Sequence, residues 1–514
     1  MSIAEQQAAG QKDTNTLGAS ADLETLMAAR GLSEADVEAA LKTFTPTGRR
    51  GQESADRHRP QAARRLSLAL LSPASDSDGV IHAELSDVGL FGSMDRYGDM
   101  GIHAVIDLRR TFSRAELERA LQGTIGAFPV LGRRYVSGFW RDRWLAVEAP
   151  LSEAVHVVDV PGDLEEETAS WARRPIDVAR ERPLRLVSLR RGEGSRLILS
   201  ITHLAVDGGG VAAVGHVLGA HLYGRSPSLP VDRRRSVGSA LETLRWHHLP
   251  VLARGVADNA LVPLRTLAAA RRERHFPLEP SAPASWRHLI VSSADVARIK
   301  ERCRARGASV NDALIGALAR VAAGRSSRGP LAVMYTMDLR RYAGSPRLTA
   351  ANTSSILSVI VPRDAVTDLP SAAGAVARRT SRHRRGLAGP AFVLTPLALA
   401  SGVPHAWARR VTRWLHPVLI DLPLSRGLVF TNVGRIDDGL AAFGEDIESL
   451  RVIGPHTRNV TVPSVVALGY RGELHLQLFA PPGLAPAALD ELDAELREAL
   501  ELPAHPRAHE PVGT

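Results

Sequence analysis

One cysteine, Cys303, is all that this 514-residue chain carries. That excludes an internal disulfide framework and a cysteine-based metal cluster, and it fits a reducing, cytoplasmic setting. Aromatic residues make up only 4 %, too few for a base-stacking platform, so nucleic acid is not expected as a partner. Lysine is nearly missing too: Lys12, Lys42 and Lys300 are the only ones, and arginine carries the net charge of +9. Such a bias follows genome composition and is discounted as a nucleic-acid signal. The remaining basicity would suit a phosphate-bearing small molecule or an acidic partner surface. No apolar run approaches the ~20 residues of a membrane helix. Residues Met1 to Gln7 lack the basic and apolar regions of a signal peptide. No G-x-S-x-G is present, which argues against serine-hydrolase chemistry. His216, His221, His247 and His248 lack any metal-ligand spacing, so no metal is expected.

What remains is a globular composition, 44 % hydrophobic and 23 % charged, in a chain too long for one ordinary core. Residues 1–65 read as a polar extension, partly helical or disordered, ending in a linker without apolar periodicity. A first lobe is expected over 66–235, a Pro- and Arg-rich crossover over 236–285, and a second lobe over 286–514. Strand patterns (101–108, 155–159, 184–189, 196–202, 354–361, 464–470) mix with helical ones. Among the helices, Ser113 caps one and Ser309 or Asn311 starts another. The mixture lacks regular βαβ alternation, so the fold class is α/β of the α+β kind, with two lobes.

The chemistry-bearing feature is His203 followed by Asp207 and Gly208, an H-x-x-x-D-G pattern closing the apolar run Leu197 to Thr202. A histidine at a strand end can project into a cleft while the backbone turns away, and imidazole can take and return a proton at neutral pH. Gly208 permits a tight turn and Asp207 can cap the next helix or bind an arginine. The same stretch, Gly208 to Ala213, also satisfies G-x-G-x-x-A, with Asp232 about twenty residues on. That leaves a dinucleotide-binding oxidoreductase as a remote alternative. Asp232, however, sits among prolines and arginines instead of ending an apolar strand.

Around the motif the chain resembles the chloramphenicol acetyltransferase-like superfamily. This group includes peptide-synthetase condensation domains, wax ester synthases, alcohol acetyltransferases and polyketide-associated acyltransferases. The resemblance rests on Pro175 to Val178 and Arg182 to Leu186, a hairpin, and then Leu197 to His203. Leu117 to Arg134 looks like the family's first helix and turn, and Gly307 to Leu314 like its S-V-N-D-x-L helix start. Met337 to Arg340, Asn352 and Thr431 to Gly434 follow in the family's order, so the likeness spans roughly residues 80–500. Two departures stand out. Thr202 occupies the place of a first histidine, and the plant-type D-F-G-W-G is missing, which points toward microbial relatives.

The resemblance implies a two-lobed fold with a channel at the lobe interface, and His203 as general base for acyl transfer. The donor would be an acyl thioester on coenzyme A or on a carrier protein's phosphopantetheine, with no permanently bound cofactor. The acceptor would be a small-molecule alcohol or amine, in lipid or secondary metabolism. Asp207, with Gly208, would be structural, pairing with Arg133, Arg134 or Arg340. Thr202, Gly209, Asn352 and Asn432 are channel candidates, and the amide of Gly208 or Gly209 is an oxyanion donor candidate. The run Arg378, Arg379, Arg382, Arg384 and Arg385 could meet phosphates or be a solvated helix face. A free-standing monomer is expected. The rival within the same family is a catalytically silent condensation-like module used for recruitment.

Overall fold

The computed structural model describes residues 80–260, 269, 272–400, 402–417, 421, 427–455 and 457–503. The extension 1–65 and residues 66–79 therefore lie outside the described residues. Gly79–Arg235 together with Ser239–Thr514 form one compact unit; Ser236–Gly238 belong to another with Met1–Asp78.

Two sheets organise the first unit. The first contains β1 (Gly101–Leu108), β2 (Val155–Asp159), β3 (Leu184–Arg191) and β4 (Gly194–Thr202). The second contains β5 (Ser285–Val291), β6 (Leu331–Asp338), β7 (Ser354–Val361) and β8 (Gly427–Arg435). Of the last three strands, β9 (Ile447–Ile453) joins the first sheet, and β10 (Ser464–Tyr470) and β11 (Glu473–Ala480) join the second. The five-stranded sheet runs β9-β1-β4-β3-β2 and the six-stranded sheet β7-β6-β8-β10-β11-β5. A strand from the C-terminal part thus completes the first sheet, pairing antiparallel with β1 from Ile447↔Leu108 to Ile453↔His103. The sheets do not divide at one point in the chain, and we keep the lobe boundaries of the sequence reading as a proposal. Within the segment read as a crossover, Leu249–Ala260 is helical.

β4 shows why the first sheet holds together. It lies between β1 and β3, and its residues Ser195 to Thr202 are buried. Leu197, Leu199 and Ile201 enter one apolar cluster, and Ile198 enters another on the opposite face with Val105, Val187 and Ile453. A strand buried on both sides reads as a continuous apolar run. After β4 the chain turns and enters a helix, Gly208–Leu222, which covers the first face. Asp207 starts it as N-cap, its carboxylate accepting from the Gly210 amide at 2.8 Å. The second sheet is covered by Val310–Gly324, where Ser309 is the N-cap in a capping box with Asp312.

The strand before the glycines has antiparallel neighbours on both sides. No parallel βαβ unit surrounds the G-x-G-x-x-A run, and the carboxylate of Asp232 pairs with Arg234 and Arg347. The dinucleotide reading loses the crossover it requires.

Candidate active site

The site is a turn held from three directions. β4 and β1 pair in the register Gly101↔Thr202, so the start of one strand lies beside the end of the other. The Met100 carbonyl accepts from the His203 amide at 2.8 Å. Thr202 is fully buried, and its hydroxyl oxygen accepts from the Leu204 amide at 3.3 Å. The residue standing in place of a first histidine therefore braces the turn.

Asn352, in the loop before β7, fixes the imidazole. Its amide nitrogen donates to the carbonyls of His203 at 2.9 Å and Leu204 at 3.1 Å. Those two acceptors decide the orientation of the amide, so Oδ1 faces the ring, 3.1 Å from His203 Nδ1. A carbonyl oxygen can only accept, which makes Nδ1 the protonated nitrogen and leaves the Nε2 lone pair available. Among the described residues Nε2 has no partner, and His203 is half-buried. Chemically this is a one-sided proton acceptor whose other side is locked.

Asp207 anchors the far end of the turn. It is buried, and its carboxylate takes two bonds from Arg340, at 2.8 and 3.2 Å. It also accepts from the Gly210 and Thr353 amides, at 2.8 and 2.9 Å, and from the Ser354 hydroxyl at 2.7 Å. Burial alone would raise its pKa, but Arg340 and these donors outweigh burial and hold the carboxyl below its usual range. Of the three arginines considered as partners, Arg340 is the one used. Arg133 and Arg134 donate to the carbonyls of Trp144 and Ala179. A Cβ on Gly209 would sit 2.7 Å from an Arg340 nitrogen, so a side chain there would push the guanidinium out of this clamp.

A second arginine escaped the sequence reading. Arg235 donates to the Ala205 carbonyl at 2.8 Å and forms a buried pair with Asp87 at 2.6 Å. Trp144 Nε1 donates to the same carboxylate at 2.9 Å. The turn from His203 to Asp207 is therefore gripped by two guanidiniums, Arg235 on its middle and Arg340 on its end.

Of the remaining candidates, Asn432 and the arginine run fall elsewhere, while Gly208 and Gly209 stay at the turn. Asn432 donates to Asn311 Oδ1 at 2.9 Å and accepts from the Gly434 amide at 2.8 Å, tying β8 to the helix after Ser309. Gly208 and Gly209 are the first two residues of their helix, and their amides have no acceptor among the described residues. Arg378, Arg379, Arg382 and Arg385 are exposed on Leu369–Arg385.

A cavity of about 360 Å³ opens beside the motif, within the ~300–1,000 Å³ range of ligand pockets. Gly208, Gly209 and Arg340 line one end. Ala104, Leu199, Val211, Gly215 and Val452 line an apolar interior between the first sheet and the motif helix. The imidazole of His203 is not in its wall. A larger cavity, about 570 Å³, is lined by Arg254, Arg379, Arg382 and His383 and shares no residue with this site.

No protein-family model and no curated protein sequence matches the chain. Solved structures do. The first condensation domain of the CDA synthetase is similar over 83 % of this chain and 97 % of its own, at 16 % identity and TM-score 0.58. The TRI3 trichothecene 15-O-acetyltransferase from Fusarium sporotrichioides is similar over 84 % and 98 %, at 11 % identity and TM-score 0.60. Polyketide synthase associated protein 5 from Mycobacterium tuberculosis is similar over 81 % and 96 %, at 14 % identity and TM-score 0.51.

Proposed function

The chain has the two-lobed fold shared by condensation domains and an O-acetyltransferase, and we propose that it is an acyltransferase in which His203 is the general base. The observation that carries this reading is the contact of Asn352, whose Nδ2 bonds two carbonyls and so points Oδ1 at His203 Nδ1, 3.1 Å away, with Nε2 on the other side of the ring. In the proposed reaction Nε2 takes the proton of an alcohol or amine acceptor. The acceptor's oxygen or nitrogen attacks the carbonyl carbon of an acyl thioester, on coenzyme A or a carrier arm. The new C–O or C–N bond forms, the oxyanion collapses, the C–S bond breaks, and the departing thiolate recovers the proton from Nε2. The free Gly208 and Gly209 amides, at the positive end of a helix, are the proposed oxyanion donors. Asp207, Arg340 and Arg235 are positioning residues. The bracing role of Thr202 favours this over a silent recruitment module, because its hydroxyl supports the turn that carries the imidazole.

Mass spectrometry of products from a panel of acyl thioesters and acceptors tests the reading. Acyl–acceptor product with matching thiol release supports it. Release of free acid alone, or no thioester consumption across the panel, contradicts it.

The role given to Asn352 has its own signature. In Asn352→Asp a carboxylate faces the ring and stabilises the imidazolium. A base must be neutral to act, so the acid limb of the rate–pH profile should move to higher pH. Activity at neutral pH falls and recovers on alkalinisation. A uniform loss at every pH would reduce Asn352 to a loop support.

We place the acyl chain in the 360 Å³ cavity. Gly215 lines it, and a Cβ built there meets nothing within 4 Å. Gly215→Leu should fold, since leucine favours helix over glycine by roughly 0.8 kcal/mol. It should shift the preferred acyl chain to shorter lengths, with discrimination on the order of ten-fold per excess methylene. An unchanged chain-length profile in an active variant would move the acyl site elsewhere.

A further inference from the structure

The helix His405–His416 is inside out. Helices on soluble proteins turn an apolar stripe to the core and polar residues to water. Here the packed face is mostly polar, with Ala408 a small apolar contact to the core. His405 Nδ1 accepts from the Asp142 amide at 2.9 Å, and Arg409 pairs with the Asp142 carboxylate. The His416 ring lies 3.0 Å from the Ser93 hydroxyl. Burial lowers the pKa of both histidines, His405 to about 4, so this face packs with neutral rings. The packing is close: a Cβ on Gly92 of the helix Leu85–Tyr97 would lie 3.1 Å from the Arg409 carbonyl.

The opposite face presents Trp407, Val411 and Trp414, spaced i, i+4, i+7 along one stripe. Trp414 is 78 % exposed. The loop that abuts the helix start adds two more exposed rings: the amides of His405 and Ala406 donate to the carbonyls of Trp140 and Phe139, whose side chains are exposed and meet edge to face. In a chain with only 4 % aromatics, the exposed tryptophans among the described residues, Trp140, Trp407 and Trp414, all lie on this surface. Contiguous exposed apolar patches of this kind mark interaction surfaces.

Charge identifies the partner. The helix contains no acidic residue, the loop's one acid, Asp142, is buried under Arg409, and the exposed acid of the neighbouring helix, Asp95, is paired with Arg413. Arg141, Arg143 and Arg410, on the same loop and helix as these aromatic residues, are exposed. Tryptophan with arginine on a helix lying along the surface suits the headgroup–acyl boundary of a bilayer, where indole is wet at one edge and apolar at the other. No helix among the described residues is long and apolar enough to cross a membrane, so the contact would be peripheral. We infer that the face formed by Phe139–Arg143 and the Trp407/Val411/Trp414 stripe docks the protein onto an anionic lipid bilayer.

Flotation of the full chain with phosphatidylcholine vesicles, with and without phosphatidylglycerol, tests this. The protein should float with the anionic vesicles and release as salt is raised. Replacing Trp407 and Trp414 together by serine should cut partitioning at least about ten-fold, and Arg410→Glu should weaken binding to the anionic vesicles only. All three positions are exposed, and circular dichroism checks that the variants fold. Failure of the wild type to float with anionic vesicles at low salt overturns the inference, as does equal binding by the double variant. If instead the double substitution turns a dimer into a monomer and vesicles are ignored, the surface joins two copies of the chain and the inference falls. Thioester turnover with soluble substrates does not depend on this face, so each proposal can fail alone.

Discussion

Asp207→Ala should cost about 3–5 kcal/mol of stability, the penalty for leaving one partner of a buried ion pair uncompensated. The substitution strips Arg340 of its carboxylate and orphans the Gly210 and Thr353 amides and the Ser354 hydroxyl together. It also removes the cap of the helix Gly208–Leu222. Asp207→Asn keeps part of the acceptor capacity and should lose less. The measurement is the denaturation midpoint of each variant. The same cluster gives a pH signature. A carboxyl whose folded pKa is depressed contributes stability that is fully present above its unfolded value, ~3.9. That contribution drains away as pH falls below it and through the lower folded value. Wild type should therefore lose stability in that acid window, and Asp207→Ala should be flatter there. An Asp207→Ala midpoint within experimental error of wild type would mean that Arg340 finds water or another acceptor.

His203→Ala should lower kcat by about 10²–10⁴, the usual contribution of a positioned general base. Its KM should change little, because the proton is moved in the transition state and no ground-state contact is assigned to the imidazole. The fold should survive. His203 is half-buried and its backbone bond to Met100 does not need the side chain. A variant with wild-type turnover would end the general-base role. One that unfolds would identify the ring as a structural element of the turn.

The sequence exposed what is local. Gly101–Leu108, Val155–Asp159, Ser354–Val361 and Ser464–Tyr470 are strands with the bounds that their apolar patterns suggest. Ser113 and Ser309 cap their helices through short-range bonds that a side-chain pattern encodes. His203, Asp207 and the glycines lie within seven residues, so their grouping was legible too. Arg340 and Asn352 entered only through the resemblance. Nothing in their own neighbourhoods announces contacts with Asp207 and His203 some 130–150 positions away. Arg235 was hidden by its setting: in the run Arg233 to Arg235 three arginines look alike, and only the fold brings Asp87 to the third. Strand Ile447–Ile453 was missed because the polar residues Glu448, Ser449 and Arg451 break up its apolar pattern. Its partner lies in the other sheet-forming part of the chain. The helix His405–His416 is the hardest case. Periodicity reveals two faces but not which of them meets the protein, and here the polar face does.

All of these contacts converge on the protonation of one ring. Histidine-selective ¹⁵N labelling of the full chain, with the His203 signals taken from the difference between wild type and His203→Gln, reads that directly. The neutral form of His203 should carry its proton on Nδ1 and leave Nε2 unprotonated. A neutral ring carrying its proton on Nε2 would contradict this, because the nitrogen facing outward would then have nothing with which to take a proton from an acceptor.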